Sequence, residues 1–385
     1  TKAAFRNSMP VPKISRRALA ETVLQGITFA TKPLIRKTPA EPKSIFVLRN
    51  NGLGDLLCAT PLFEMLRVKY PNAEIIAGIG SWHEQLLDRN PYLSRCMAVN
   101  APWHNQFVVE PNIWRILAYL LFSKESKTLS AMKVDIGFDI VGSLWGSMLL
   151  LRCGIPLRIG VKGYAGGHSA NSLNVRYDSK THVSQACVEM GKLLGIKDTP
   201  SLTPQIYLSE KELHSAEVTW RQSGERCRVL IAPGGSFEGK RWGDQRFADL
   251  TQLILEKTKF RISIIGGTED EKRLPTSQLN GFEERVTNLC GKLSLRESAA
   301  MASTADFVIS NSSVAMHFAG AFSKPNLVLL GAWYDSATEH WLQWGHPKSV
   351  VLGKEAQSGI KEVPSAQEAF SVFLDQFAKY SKIRK

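Results

Sequence analysis

The sequence predicts an α/β fold with parallel sheets, in two Rossmann-like halves that face each other across a cleft. Three observations carry this. From Ser44 onward short apolar runs alternate with helical patterns, the signature of βαβ units. The alternation restarts after a Pro/Thr-rich break, "IKDTPSLTPQIYL" (196–208). A chain of 385 residues also exceeds the usual size of one domain.

In the first half, residues 45–49, 75–79 and 134–140 read as strands. Between the first two, Ala59, Phe63, Leu66 and Tyr70 recur on one helical face, and Pro71-Asn72 ends the run. In the second half, strands are expected at 229–232, 262–265, 307–310 and 327–330, with a helical pattern between each pair. The last helical stretch, 365–381, is expected to pack back across the junction. The expected divisions are a basic extension at 1–43, domains at 44–200 and 201–355, and a terminal helical segment at 356–385.

Hydrophobic residues make up 44% of the chain and charged residues 22%, and no apolar run reaches the ~20 residues of a membrane span. The six cysteines, at 58, 96, 153, 187, 227 and 290, stand singly, with no C-x-x-C pair. That spacing suggests neither a disulfide framework nor a thiolate metal cage, so no metal is expected and a reducing cytoplasm fits. The net charge is +13, and residues 1–43 alone hold nine Lys or Arg against Glu21 and Glu41. This segment has no apolar core of the signal-peptide kind. Residues 14–30 are expected either to lie on anionic lipid as a basic amphipathic helix or to form a solvated tail. No basic stripe interleaved with aromatics accompanies the charge, so nucleic acid is not an expected partner.

Three motifs could carry chemistry. "VLRNNGLGDLLCATPLFEMLRVKYPNAEI" (47–75) leaves a strand through Asn51, Gly52 and Gly54. A dinucleotide fingerprint needs a third glycine where Leu57 stands, and an acid at the end of the second strand, whereas Glu74 precedes it. A nicotinamide enzyme is therefore disfavoured. Asp55 stands at the helix start, where it could cap free amides or act as a base. "IAPGGSFEGKRWGDQRF" (231–247) runs from a strand through Gly235 and Ser236 to Lys240, and exposed amides plus a lysine suit a phosphate. In "ISNSSVAMHFAGAFSKPNLVLLGAW" (309–333), Ser312 and Ser313 open a helix with His317 one turn on, either a second anion site or a serine-capped core helix.

With these motifs in this order, together with "IIGGTED", "CGKLSLRESAAMASTADFVISNSSVAMHFAGAFSKP" and "LLGAW", the chain resembles glycosyltransferase family nine, the lipopolysaccharide heptosyltransferase type. The resemblance spans roughly 45–335. It implies a GT-B fold and an inverting, metal-independent transfer of a sugar from a nucleotide diphosphate donor, ADP-linked by preference, to a glycolipid or glycan acceptor. No cofactor is implied. Asp55 would be the general base. Lys240 would offset charge on the departing diphosphate. Ser236, beside Gly235, would contact phosphate, Glu269 or Asp270 the ribose, and His317 would support the phosphate loop, with Ser312, Ser313 and Met316 completing the donor side. The acceptor would lie on the side of Asn51, Gly52 and Gly54. The family's acid before Met-His is Ser312 here, and its glycine is Val314. Those two changes raise the alternative of a silent member that binds nucleotide or glycan without turnover. Trp333, Tyr334, Trp341 and Trp344 could line a pocket or pack the loops.

Overall fold

The computed structural model describes residues 39–104, 112–221, 227–272, 279 and 281–381, with Gly26, Ile27, Phe29 and Ala30 ahead of them. Most of the basic extension, including most of the expected helix at 14–30, lies outside the described residues.

The first half contains β1 (Ser44–Leu48), α1 (Leu53–Cys58), α2 (Thr60–Lys69), β2 (Glu74–Ile79), α3 (Glu84–Leu87), β3 (Arg95–Ala98), α4 (Ile113–Phe122) and α5 (Lys124–Ala131). It continues with β4 (Ile136–Asp139), α6 (Leu144–Arg152), β5 (Leu157–Lys162), β6 (Leu173–Arg176) and α7 (Val183–Lys192). The second half runs α8 (Glu210–Arg221), β7 (Arg228–Ala232), α9 (Asp244–Lys257), β8 (Arg261–Ile264), α10 (Thr268–Glu271), β9 (Val286–Asn288) and α11 (Leu295–Thr304). It ends with β10 (Phe307–Asn311), α12 (Val314–Ala321), β11 (Asn326–Leu329), α13 (Ala337–Trp344), β12 (Ser349–Leu352) and α14 (Ala366–Ser381).

Each half builds a six-stranded sheet, ordered β3-β2-β1-β4-β5-β6 and β12-β11-β10-β7-β8-β9, with every pairing parallel. In both sheets the strand order reverses at the centre, so the loops after β1 and β4, and after β7 and β10, open at a switch point. Such crevices are where doubly wound sheets bind ligands. Among the described residues, no helix is long and apolar enough to cross a membrane.

Five strands go beyond the expected set: β3, β5, β6, β9 and β12. Four are sheet edges, too short or too mixed in character to show a period. The fifth, β5, is interior, and its apolar run is interrupted by Arg158, which is 2% exposed. The Arg158 guanidinium is accommodated by donating to the carbonyls of Ala170 (2.5 Å) and Ile155 (2.6 Å). The helical run after β1 also breaks in two at Ala59, because Pro61 has no N–H to give the Leu57 carbonyl; the Thr60 hydroxyl donates there instead, at 2.7 Å.

The halves share a core of their own. Leu57 and Leu86 from the first half are buried with Leu230, Val308, Ala315 and Phe318 from the second. Arg296 on α11 pairs with Glu212 and donates to the carbonyls of Gln85 (3.0 Å) and Asp88 (3.2 Å), tying α11 to the first half. Helix α14 differs from its expected place across the junction. Its stripe of Ala369, Phe370 and Phe373 joins the core of the second half, with Phe373 against Phe307 at 5.0 Å between ring centroids. The stripe finds its partners there in Phe260 and Phe307, whose rings stand edge-on to Phe373.

Candidate functional site

Asp55 sits in the first turn of α1, one residue past Gly54. It is not a cap: Gly52 occupies that position, and no side-chain capping bond is made. The carboxylate folds back over Gly52, so that a Cβ there would lie 2.3 Å from Asp55 Oδ2. A side chain at 52 would have to displace the carboxylate from that space. Arg49, at the end of β1 and 6% exposed, donates from Nη2 to Asp55 Oδ1 at 2.8 Å and fixes its direction. Asp55 itself stays partly open to solvent, its side chain 28% exposed.

Asp55 opens onto a cavity of about 460 Å³. Its walls are largely apolar, from Val161, Val175 and Met190 among others, with charges of both signs at Arg176, Asp178, Glu189 and Lys192; Lys192 pairs with Glu189 at 2.8 Å. Trp344 of the second half closes one side. Asn51 Oδ1 and Arg49 Nε belong to residues lining this cavity, are buried, and have no hydrogen-bond partner among the described residues. Unpaired buried polar atoms are costly, and these two stand beside the cavity.

Facing this from the second half is a linked set. Ser312, just past β10, lies 2.8 Å from His340 Nε2, and the Tyr334 ring stands edge-on to His340 at 5.0 Å. Burial pushes the Tyr334 phenol up, its hydrogen bond to Ser312 opposes this, and the Asp55 charge across the cleft adds to the rise. Burial lowers His340 to about 4, helped by the Lys240 charge nearby. Asp55 and Lys240 are thus both near enough to this set for their charges to be felt there. Lys240 Nζ rests 5.3 Å from the ring centroids of both Phe237 and Trp333, which stand edge-on to one another. Its loop is tied to the segment after β11 by Gly331 N–H to the Lys240 carbonyl (3.2 Å) and Trp333 N–H to the Gly239 carbonyl (3.0 Å).

The other residues singled out from sequence divide. Gly235 and Ser236 lie in the loop after β7, Ser236 exposed. Ser313 is the N-cap of α12 but makes no side-chain capping bond. Asp270 turns inward: it accepts from Gly267 N–H at 2.8 Å and lies where a Cβ on Gly234 or Gly266 would meet it. Glu269 is exposed beside it. Met316 does not reach the cleft, since it is fully buried against Val328 and Leu330. Val314 packs at the edge of the shared core.

His317 is placed differently from the expectation that it props a phosphate loop. Its ring fills the space beside Gly54, where a Cβ would stand 2.4 Å from Cδ2, and its Nδ1 lies 3.5 Å from Cys58 Sγ and 3.1 Å from His346 Nε2. The helix that carries Ser313 is thereby locked to the helix that carries Asp55. Burial holds His317 at about 3, with the His182 and His340 charges opposing protonation further.

Both His317 and His340 bind their proton more weakly folded than at the ordinary value of 6.5. Stability is therefore complete above 6.5 and falls as pH drops toward about 4, by about 1.4 kcal/mol per pH unit for each histidine. Denaturant melts across that range should show this slope, and His317→Gln should remove one histidine's share of it, about 1.4 kcal/mol per pH unit. An unchanged slope in the variant would mean that other groups control acid stability.

Sequence reading missed Arg49, His340 and Asn311. The Asn311 amide accepts from Trp242 N–H (2.8 Å) and donates to the carbonyls of Pro233 and Gly234, so it shapes the glycine-rich loop. Its only signal was a polar residue ending an apolar strand.

The family model "Glycosyltransferase family 9 (heptosyltransferase)" matches residues 123–367. Lipooligosaccharide heptosyltransferase 2 of Haemophilus influenzae is 24% identical over 303 residues, covering 75% of this chain and 83% of that protein. The fold is that of a family 9 glycosyltransferase from Veillonella parvula (TM-score 0.71, 19% identity, 90% of this chain and 99% of that one). It is also that of the Escherichia coli ADP-heptose LPS heptosyltransferase II (TM-score 0.68, 20% identity, 88% and 99%). The two doubly wound sheets are thus the halves of a GT-B fold, and the chain belongs to glycosyltransferase family 9 and is a glycosyltransferase.

Proposed function

We propose that the chain is an inverting, metal-independent heptosyltransferase. It moves heptose from ADP-heptose to a lipopolysaccharide or related surface glycan at the cytoplasmic face of the inner membrane. The observation that carries this reading is the Arg49-fixed carboxylate of Asp55 at the mouth of a cavity, opposite the Ser312, His340 and Lys240 set. The donor named for the Escherichia coli relative is ADP-heptose.

The acceptor occupies the cavity beside Asn51, Gly52 and Gly54, where the mixed polar side chains of Arg176, Asp178 and Glu189 suit the hydroxyls of a glycan. Asp55 takes the proton of the acceptor hydroxyl as its oxygen attacks the anomeric carbon. The bond from that carbon to the diphosphate oxygen breaks on the opposite face, and the electron pair leaves with the nucleoside diphosphate. Lys240, the amides after Gly234 and the uncapped start of α12 offset the charge that develops there. Neutral His340 holds Ser312 toward the donor, and Asp270 with Glu269 meets the ribose.

Thermal unfolding with a panel of ADP-, UDP-, GDP- and CMP-linked sugars, NAD and NADP tests the donor. Selective stabilisation by ADP-heptose is expected, about 2.7 kcal/mol at a hundred times its dissociation constant. A response to NAD alone would overturn the reading. Silence throughout would point to a member that does not take up a nucleotide-linked donor.

A further inference from the structure

Helix α4 is apolar on the side that faces solvent. Ile116 and Leu120 are buried in the first half. On the opposite side Ile113, Trp114, Leu117, Ala118, Leu121 and Phe122 are all exposed, Trp114 by 75% and Phe122 by 69%. At 3.6 residues per turn these six positions cover about half of the helix circumference. A soluble surface helix would place polar residues there, and a contiguous exposed patch of this kind marks an interaction surface.

The charges around the patch select the partner. From residue 113 to 133 the exposed cations Arg115, Lys124, Lys127 and Lys133 face a single acid, Glu125. An apolar stripe with aromatic side chains near both ends and a cationic border complements an anionic lipid surface. The location agrees. Tyr119 of α4 stands edge-on to Trp103 at 5.4 Å, and the Trp103 carbonyl accepts from Asn50, which lies between Arg49 and Asn51. The helix is thus braced against the loop that carries the acceptor-side groups.

We propose that α4 docks the protein on an anionic membrane, with Trp114, Leu121 and Phe122 entering the interface and Lys124 and Lys127 meeting the headgroups. In its purpose, though not in its test, this rests on the reading of the acceptor as a lipid-linked glycan. Docked in this way, the protein holds Asp55 near the membrane plane from which such an acceptor projects.

The test is co-sedimentation of the full chain with vesicles of phosphatidylglycerol and phosphatidylcholine, without donor or acceptor. The variant is Trp114→Ser combined with Leu121→Ser and Phe122→Ser, with near-UV circular dichroism and thermal unfolding confirming its fold. Vesicle affinity is expected to fall about tenfold or more in this variant. Lys124→Glu with Lys127→Glu should weaken the preference for phosphatidylglycerol while the fold is kept. Turnover on a lipid-free acceptor should be unchanged in both, which separates a membrane defect from a failed active site. Equal vesicle binding by the serine variant would overturn the proposal. So would sedimentation equilibrium showing a wild-type dimer that the serine variant splits, because the patch would then be a contact between two copies.

Discussion

Asp55→Asn is expected to lower the turnover number for sugar transfer by about 10²–10⁴-fold while leaving nucleoside diphosphate affinity within about twofold. Asparagine keeps the volume of the side chain and an oxygen for the Arg49 guanidinium, which donates to Asp55 Oδ1 at 2.8 Å. It cannot take a proton from the acceptor hydroxyl. The loss therefore belongs to chemistry and not to architecture, and unchanged thermal unfolding with intact diphosphate binding would establish that. Comparable turnover by the variant would remove Asp55 from the role of base. The buried Arg49 leaves little room for another orientation of the carboxylate, and Gly52 beneath it cannot be enlarged without displacing it.

The second large effect is expected on the donor side. Lys240→Ala should weaken nucleoside diphosphate binding and slow transfer together, each by about ten- to a hundredfold, the range of a lost charge-assisted hydrogen bond of about 1.5–3 kcal/mol. Lys240 is held between Phe237 and Trp333, so its ammonium is preorganised for a ligand above the glycine-rich loop. Slowed transfer would identify a group that meets charge developing on the leaving diphosphate. Isothermal titration of ADP and steady-state kinetics read the two quantities separately. No change in either would make it a surface lysine resting on aromatics.

Much of this arrangement was legible in the chain because it depends on local pattern. The strand, glycine turn and helix around Asp55 occupy a short stretch, and the loop from Gly234 to Lys240 has its own signature. The parallel sheets followed from alternating apolar runs, except where strands were edges or, as in β5, carried a buried arginine. What could not be read was pairing across the cleft. His317 meets Gly54 and Cys58 across the cleft from a position more than two hundred and fifty residues away, and within the second half Ser312, in the loop after β10, meets His340 of α13. No local period encodes such contacts. Arg49 was hidden differently: at the end of an apolar strand its charge reads as the end of the run, although it is the group that orients the carboxylate. Met316 was an error of the opposite kind, a residue adjacent in sequence to His317 whose side chain points into the core.

The central claim is that Asp55 and the Lys240 side of the cleft flank the anomeric carbon from opposite directions. The most direct test is the anomeric configuration of the transferred sugar, read from the one-bond carbon–hydrogen coupling at that carbon in donor and product. Inversion is the result expected from in-line attack by a hydroxyl that Asp55 deprotonates. Retention would require a second displacement and would contradict the assignment of Asp55 as base.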